Sequence, residues 1–392
     1  MKIYQSIFAV TLIFAASLAN AASWLECNGD SWRKIKFKGN STTVNISSNS
    51  YPPAWQSKIE DAVKIVNHNP SPFWINTVVE NDGVGNANGE NEVYYADIEP
   101  AGVAISSFHC YWWKDTFLGI TYDSGYKWGL DEVDVILDSH DDDGTPHPWT
   151  IFNNKSLINK YGGSNAMAEA VFVHEFGHLL GLQHVNAEYN IMGDAWHHMI
   201  AQNGKTHSYF GEDASKGATQ LYGTQNSWYR DLSVSHYRYT GVSGEYSAHA
   251  RTRVFKKHGT KWQEVTPYTS SSYGGVNNQP VNERLWGVSR GDRIRFEFTV
   301  ENNGKQTETN VRCGTYISTN DFISTSDRQI HTYTWDAIAA QGAAYTFTSE
   351  ITIPNDLDQN RVYWVGYIVD DNNQIHEKTG KNNAAYIPVW IQ

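Results

Sequence analysis

Asn165 to His184 reads NAMAEAVFVHEFGHLLGLQH, and the fold class turns on this stretch. It contains no proline and has one glycine before its final turn. Its apolar residues, Ala168, Val171, Phe172, Val173, Phe176, Leu179 and Leu180, fall on every side of a helical projection. A helix that is apolar all round is a buried one, so the pattern predicts a long helix over residues 165–183 at the centre of a core.

Three polar residues interrupt that helix at fixed offsets. His174 and His178 are four apart, on one helical face about one turn from each other, so two imidazole nitrogens can point at one ion. Glu175 is placed to reach a water at that ion without ligating it. Gly181 lets the chain leave the helix through a left-handed conformation, and His184 can then swing back as a third ligand. Three neutral imidazoles leave a tetrahedral Zn²⁺ one open position, the mark of a catalytic site. The alternative is a set of satisfied core histidines, but a carboxylate in a buried helix needs a purpose.

On the N-terminal side, Thr42 to Ser47 alternates as a strand, and Pro52-Pro53 opens a helix carrying Trp55, Ile59, Ala62, Val63 and Val66. Phe73 to Glu80, Glu92 to Ile98, Gly102 to Phe108 and Glu132 to Asp138 read as short strands. After Gly223 the character is β. Arg293 to Val300 alternates Ile294, Phe296, Phe298 and Val300 against Arg293, Arg295, Glu297 and Thr299, as a half-buried strand does. Tyr345 to Ile353, Val362 to Val369 and Ile387 to Ile391 are further strands, most simply in a β-sandwich. Thr240 to Asn282, rich in Gly, Ser and Tyr, reads as a long excursion between early strands. The fold class is therefore α+β, followed by an all-β unit.

The 392 residues carry 42 acidic and 30 basic side chains, net −12, which argues against a nucleic-acid partner. Residues 22–223 hold a net −13, and residues 224–392 are neutral with 17 charges of each sign. Glu80 to Glu99 and Asp131 to Asp143 together contribute thirteen acids and no base. Asp82, Asp138, Asp141, Asp142 and Asp143 among Gly and Asn turns resemble hard-cation loops, so structural Ca²⁺ is one reading and a solvated acidic surface the other. Lys2, the apolar run Ile7 to Leu18 and Ala19-Asn20-Ala21 form a signal peptide over residues 1–21. The run is too short to span a bilayer. Export makes disulfides admissible. Cys27 and Cys110 pair most naturally, leaving Cys313 free; Cys27 as a metal-binding latency switch is the alternative.

The zinc pattern resembles that of the metzincin zinc endopeptidases, and the likeness extends past the ligands. Tyr189-Asn190-Ile191-Met192-Gly193 resembles the clan's Met-turn, in which Met192 would form the floor under the metal. Phe210-Gly211-Glu212-Asp213, Lys216-Gly217 and Gln220-Leu221-Tyr222-Gly223 resemble the final helix of the matrixins, and Asp131 to Leu137 resembles the strand upstream of the active-site helix. The resemblance implies a twisted mixed sheet with a long active-site helix over residues 22–223, with His174, His178 and His184 as ligands of one catalytic Zn²⁺ and Glu175 as general base. It also implies protein or peptide substrates lying beside Gly102 to Phe108, with Asp194 to Phe210, including Trp196, His197, His198 and Tyr209, walling the primed-side pocket. A second zinc at His140, Asp142 and His147 is only faintly echoed. Asp231 to Ser235, Phe296 to Gly304, Val369 to Ile375 and Asn382-Asn383 resemble the bacterial cell-adhesion-related (CARDB) Ig-like domain. That implies an accessory domain over residues 231–392, joined by a linker at 224–230, with either a surface or matrix ligand or a spacer role. The expectation is a secreted zinc endopeptidase, extracellular with periplasmic or cell-surface placement as variants. The alternative class is a catalytically inactive metal-binding adhesin.

Overall fold

A computed structural model describes residues 23–25, 35–81, 88–98, 104–117, 120–185, 189–193, 199–225, 230–243, 246–269, 283–340 and 343–392, by backbone alone at 23–24, 104–117, 120–128, 131, 242–243, 246–247, 343–345 and 347. The signal peptide, Cys27, Asp82, Trp196, His197, His198 and the side chain of Cys110 lie outside the described residues, and with them the expected disulfide.

The first half is built on a five-stranded sheet in the order Trp74–Glu80, Ser41–Ser47, Asn91–Ala96, Ile120–Asp138, Ala104–Phe117. The first four strands are parallel. The last is antiparallel to its neighbour and forms the edge. Helix α1 (Pro53–Val66) begins with proline in its first turn, where the missing N–H costs nothing, and buries Ile59, Ala62, Val63 and Val66. Helix α2 (Ala168–Leu179) buries every one of its residues. It is shorter than the expected 165–183 at both ends. Residues Ala166–Met167 form a short parallel bridge to Trp149–Thr150, and Gly181, at φ 94°, turns Leu182–Gln183 into a strand against Ser23–Trp24. Helix α3 (Gly211–Tyr222) ends at Gly223. The hydroxyl of Tyr222 donates to the carbonyl of Leu180 at 3.0 Å, which ties α3 to the end of α2. Val44, Ile46, Val93, Val133, Val135 and Leu137 from the sheet and α1, α2 and α3 share one apolar core.

The second half contains two facing sheets. One pairs Arg293–Asn302 with Leu232–Ser235, Val254–His258 and Ala343–Thr352. The other has the order Trp286–Val288, Ala384–Ile391, Arg361–Val369, Glu308–Ser318, Arg328–Ile338. Ile294, Phe296, Phe298 and Val300 face Val311, Val365 and Tyr367 in its core. Cys313 is free and buried there, and burial pushes its thiol up to about 12.

Three expectations change. The strand from Arg293 is half-buried only at its start, where Arg293 is exposed and Arg295 partly so; further along the same face Glu297, Thr299 and Glu301 are 6%, 0% and 0% exposed. The cause is the hairpin Tyr237–Ser243 with Tyr246–Arg251, which lies over that face and bonds to it through Thr299 and Thr346. The stretch from Thr240 is accordingly no plain excursion, since it supplies the hairpin and the strands Val254–His258 and Lys261–Glu264. The acidic segments are also not simply a solvated surface. Glu92, Glu132, Asp134 and Asp138 are at most 2% exposed. Burial, with Glu132 and Glu92 alongside, raises Asp134 to about 7.

The halves meet through a third apolar cluster. Ile158, Tyr161, Met167, Met199 and Ala201 pack with Leu285, Tyr316, Ile323, Trp364 and Tyr386. Within it Lys155 Nζ donates to Glu283 at 2.5 Å, Asp321 at 2.8 Å and Tyr386 Oη at 3.2 Å. Both ends of the expected linker are anchored. Gln225 N donates to the carbonyl of Pro70, and Arg230 pairs with Glu308. Substituting Lys155→Ala strands two buried carboxylates without their cation and is expected to destabilise the chain by about 3–5 kcal/mol. The measurement is the midpoint and slope of chemical denaturation of the full chain.

Candidate metal centre

The buried helix brings its polar residues to one point. Among the described residues, His174, His178 and His184 form the one group of three metal-ligating side chains whose ligand atoms all lie within 4.8 Å of one another. Their ring centroids are 4.6–5.0 Å apart, and the Nε2 atoms of His174 and His184 are 3.1 Å apart. The other ring nitrogens of the two helical histidines face backbone carbonyls. His174 Nδ1 is 2.6 Å from the Ile191 oxygen and His178 Nδ1 is 2.7 Å from the Leu182 oxygen. A carbonyl only accepts, so each Nδ1 carries the proton and each Nε2 keeps its lone pair for an ion.

Electrostatics supports the same protonation state. Burial, then the neighbouring His178 imidazole, drives His174 well below the usual histidine value. Burial lowers His178 to about 4. Both are therefore neutral near pH 7, the form that binds a metal. His184 is the exposed member, at the mouth of the site. Glu175 is 3% exposed on the same turn as His174.

The local chain path explains why the sequence can do this. A Cβ on Gly181 would lie 2.5 Å from the Ile35 carbonyl oxygen, so both the φ of 94° and the space demand glycine there. After His184 the chain returns under the helix. Val185 N donates to the Met192 carbonyl at 3.0 Å, and Gly193 N closes a turn on the Asn190 carbonyl at 3.0 Å. Inside that turn Asn190 Oδ1 accepts from Met192 N at 3.0 Å. Met192 lies against the helix: a Cβ on Gly177, one residue before His178, would fall 2.3 Å from the Met192 sulfur. The expected floor residue thus packs on the helix next to His178.

Residues 119–223 match the family model for Matrixin, and residues 281–386 match that for CARDB. The chain joins a matrixin-like region to a CARDB region. No curated protein matches it. A CARDB domain from Pyrococcus furiosus, in its solution structure, is 14% identical over 42% of this chain and 97% of its own, with a TM-score of 0.24. The crystal structure of that domain in complex with di-metal ions gives 14%, 43%, 100% and 0.24. The matrixin match points to a zinc peptidase, and the donor set of this matrixin-like region, three imidazoles of which two have their Nε2 lone pair left free by a backbone carbonyl, fits zinc.

Of the expected site residues, His174, His178 and His184 come together here, Glu175 is the buried residue next to His174, and Met192 lies against Gly177. Tyr209 is buried, with its hydroxyl 3.4 Å from that of Tyr237 in the second half. His140, Asp142 and His147 do not form a second three-ligand group. His147 instead lies between Asp138 and Asp141, 3.4 and 3.3 Å away. Sequence reasoning missed Asn190 and its partner Asp213, whose Oδ2 accepts from Asn190 Nδ2 at 2.7 Å. The local half of that pair was readable, because Asn two residues before a bonded N–H is ordinary turn chemistry. The long-range half carries no sequence signal.

Gly177→Ala displaces Met192 while leaving the helix intact. It is expected to weaken zinc binding by roughly tenfold, in the range typical of outer-sphere supports, as read by competition with a chromogenic chelator. Gly181→Ala, which collides with backbone, is expected to destabilise by more than about 1 kcal/mol, as read by thermal unfolding.

Proposed function

We propose that this chain is a secreted zinc-dependent endopeptidase that hydrolyses peptide bonds in extracellular proteins. The observation that carries the reading is the convergence of three imidazoles, two of them oriented by backbone carbonyls, on one point, with Glu175, the residue after the first ligand, buried. A structural zinc site closes its coordination with four protein ligands, whereas three leave a place for substrate chemistry.

In this reading His174, His178 and His184 hold the ion through Nε2. A bound Zn²⁺ supplies Lewis-acid polarisation of the scissile carbonyl and a nucleophile competent near neutral pH. Glu175 takes the proton released as water attacks and returns it to the departing amine nitrogen. Met192 and the turn around it keep the imidazoles from moving away from that geometry. The edge strand Ala104–Phe117, paired on one side with Ile120–Asp138, offers its other side to an extended peptide by strand addition. Residues 22–223 constitute the metallopeptidase unit and residues 231–392 an Ig-like unit with a surface or matrix ligand. The pattern at Lys2, Ile7 to Leu18 and Ala19-Asn20-Ala21 supports export. No helix of the described residues is long and apolar enough to cross a membrane. Asp138, Asp141, Asp142 and Asp143 offer the oxygen donors a structural Ca²⁺ takes.

Purified chain is expected to cleave a denatured protein, and a chelator is expected to abolish the cleavage. Glu175→Gln should lower the rate by at least about 10²-fold, the scale of general-base assistance, while still binding one zinc. Unchanged proteolysis by Glu175→Gln refutes the mechanism. Zinc binding with no proteolysis by the wild-type chain favours the inactive adhesin.

A further inference from the structure

The turn beneath the histidines is held from the second half of the chain. Asn190, which bonds Met192 N, donates to Asp213 in the first turn of α3. The adjacent residue, Glu212, is 1% exposed, and its Oε1 lies 3.0 Å from His249 Nε2. The His249 side chain is fully buried. It belongs to the hairpin Tyr237–Ser243 with Tyr246–Arg251, which is bonded in turn to the sandwich strand Arg293–Asn302. A second buried carboxylate, Glu301, lies on that strand and accepts from Tyr237 Oη.

We infer that His249 is a positioning residue for the metal centre: its contact with Glu212 fixes the start of α3, and through Asp213 and Asn190 fixes the turn that carries Met192. The inference depends on the peptidase reading for its rate effects only. The physical reason is the company Glu212 keeps. Glu212 shares a water-poor space with Glu301, which burial and Glu212 raise to about 8, and with Asp213 close by; the His249 imidazole on Glu212 is what allows that carboxylate to stay ionised and packed. Without it, the first turn of α3 must open to water or take up a proton, and Asp213 moves with it. A small displacement in such a support is costly to a catalytic geometry.

The groups facing His249 are Glu212 and Asp213 on α3, Glu301 on the strand beneath, Tyr237 and Tyr239 on its own hairpin, with ring centroids 4.4 and 6.0 Å away, and Tyr209 near Tyr237. Burial alone would lower the His249 pKa, but Glu212, Glu301 and Asp213 together raise it. The ion pair is therefore complete below that raised value and is lost as the pH rises through it.

The test uses the full chain loaded with Zn²⁺, as wild type, His249→Gln, Glu212→Gln and the double variant, each checked for folding by near-ultraviolet circular dichroism. Hydrogen exchange at the amides of residues 190–193 is expected to rise by at least about tenfold in His249→Gln and to recover in the double variant, which removes both charges. On an unstructured peptide, kcat is expected to fall about tenfold or more with KM changed less than about threefold. The alkaline limb of the wild-type kcat profile should vanish in the double variant. Wild-type exchange at 190–193 in a folded His249→Gln overturns the inference. So do strictly additive effects in the double variant; if His249→Gln alone fails to fold, Glu212→Gln breaks the same contact, and wild-type exchange at 190–193 in that variant overturns the inference. Exchange is read without substrate, so a chain that cleaves nothing refutes the peptidase reading and leaves this test standing.

Discussion

Two backbone carbonyls, those of Ile191 and Leu182, set the orientation of the site. A histidine in a helix can rotate about two bonds and present either nitrogen, so a pair at i and i+4 shares a face without sharing a target. Occupying Nδ1 of each ring removes that freedom and turns both Nε2 atoms inward. Neither carbonyl belongs to the helix. One comes from the strand just past Gly181 and the other from the turn at Met192, so the site exists only when the chain has folded back beneath its own helix. The glycine at 181 is thus a condition of the chemistry as well as of the fold, because no side chain could occupy its φ of 94° and avoid the Ile35 carbonyl.

The legible parts of the sequence were those with a short-range cause. An all-round apolar stretch with histidines four apart leads to α2 and its ligands by periodicity alone. The alternation Ile294, Phe296, Phe298, Val300 leads to a core strand, and each of the four is 0% exposed. What failed to show was everything decided by a third layer. The polar face of that same strand has the composition of a solvated surface, and only the covering hairpin makes Glu297, Thr299 and Glu301 interior residues. Gly, Ser and Tyr enrichment disguised the hairpin as loop, since its strands are short and one of them is bulged between Tyr239 and Gly241. Likewise Lys155 reads as any surface lysine until Glu283 and Asp321 arrive from beyond residue 280.

The net charge of −13 over residues 22–223 also changes meaning once burial is known. Part of it resides on strands at the centre of the sheet, at Glu92, Glu132, Asp134 and Asp138, and does not face solvent. Burial, with Glu132 and Glu92 alongside, raises Asp134 to about 7, so this carboxylate is partly protonated near neutral pH. The formal charge therefore overstates the field that a substrate approaching the edge strand would meet near neutral pH, and any bias towards basic peptides would come from the exposed acids alone.

The matrixin-like region ends in sequence at Gly223, but the physical unit does not end there. A separable accessory domain would meet its neighbour through a modest polar interface. Here the contact has its own apolar cluster, in which Met167, immediately before α2, packs with residues beyond 280. A lysine and two carboxylates are buried within it, and such groups are stable only while all of them stay together. Separating the halves would expose that cluster, leave Lys155 and its partners to resolvate, and remove the hairpin that closes over the start of α3. The N-terminal half alone would carry every residue of the zinc pattern while lacking the contacts that hold α3 and the turn at Met192 in place. In this chain the second half is better understood as part of the scaffold of the metal centre than as a passenger behind it.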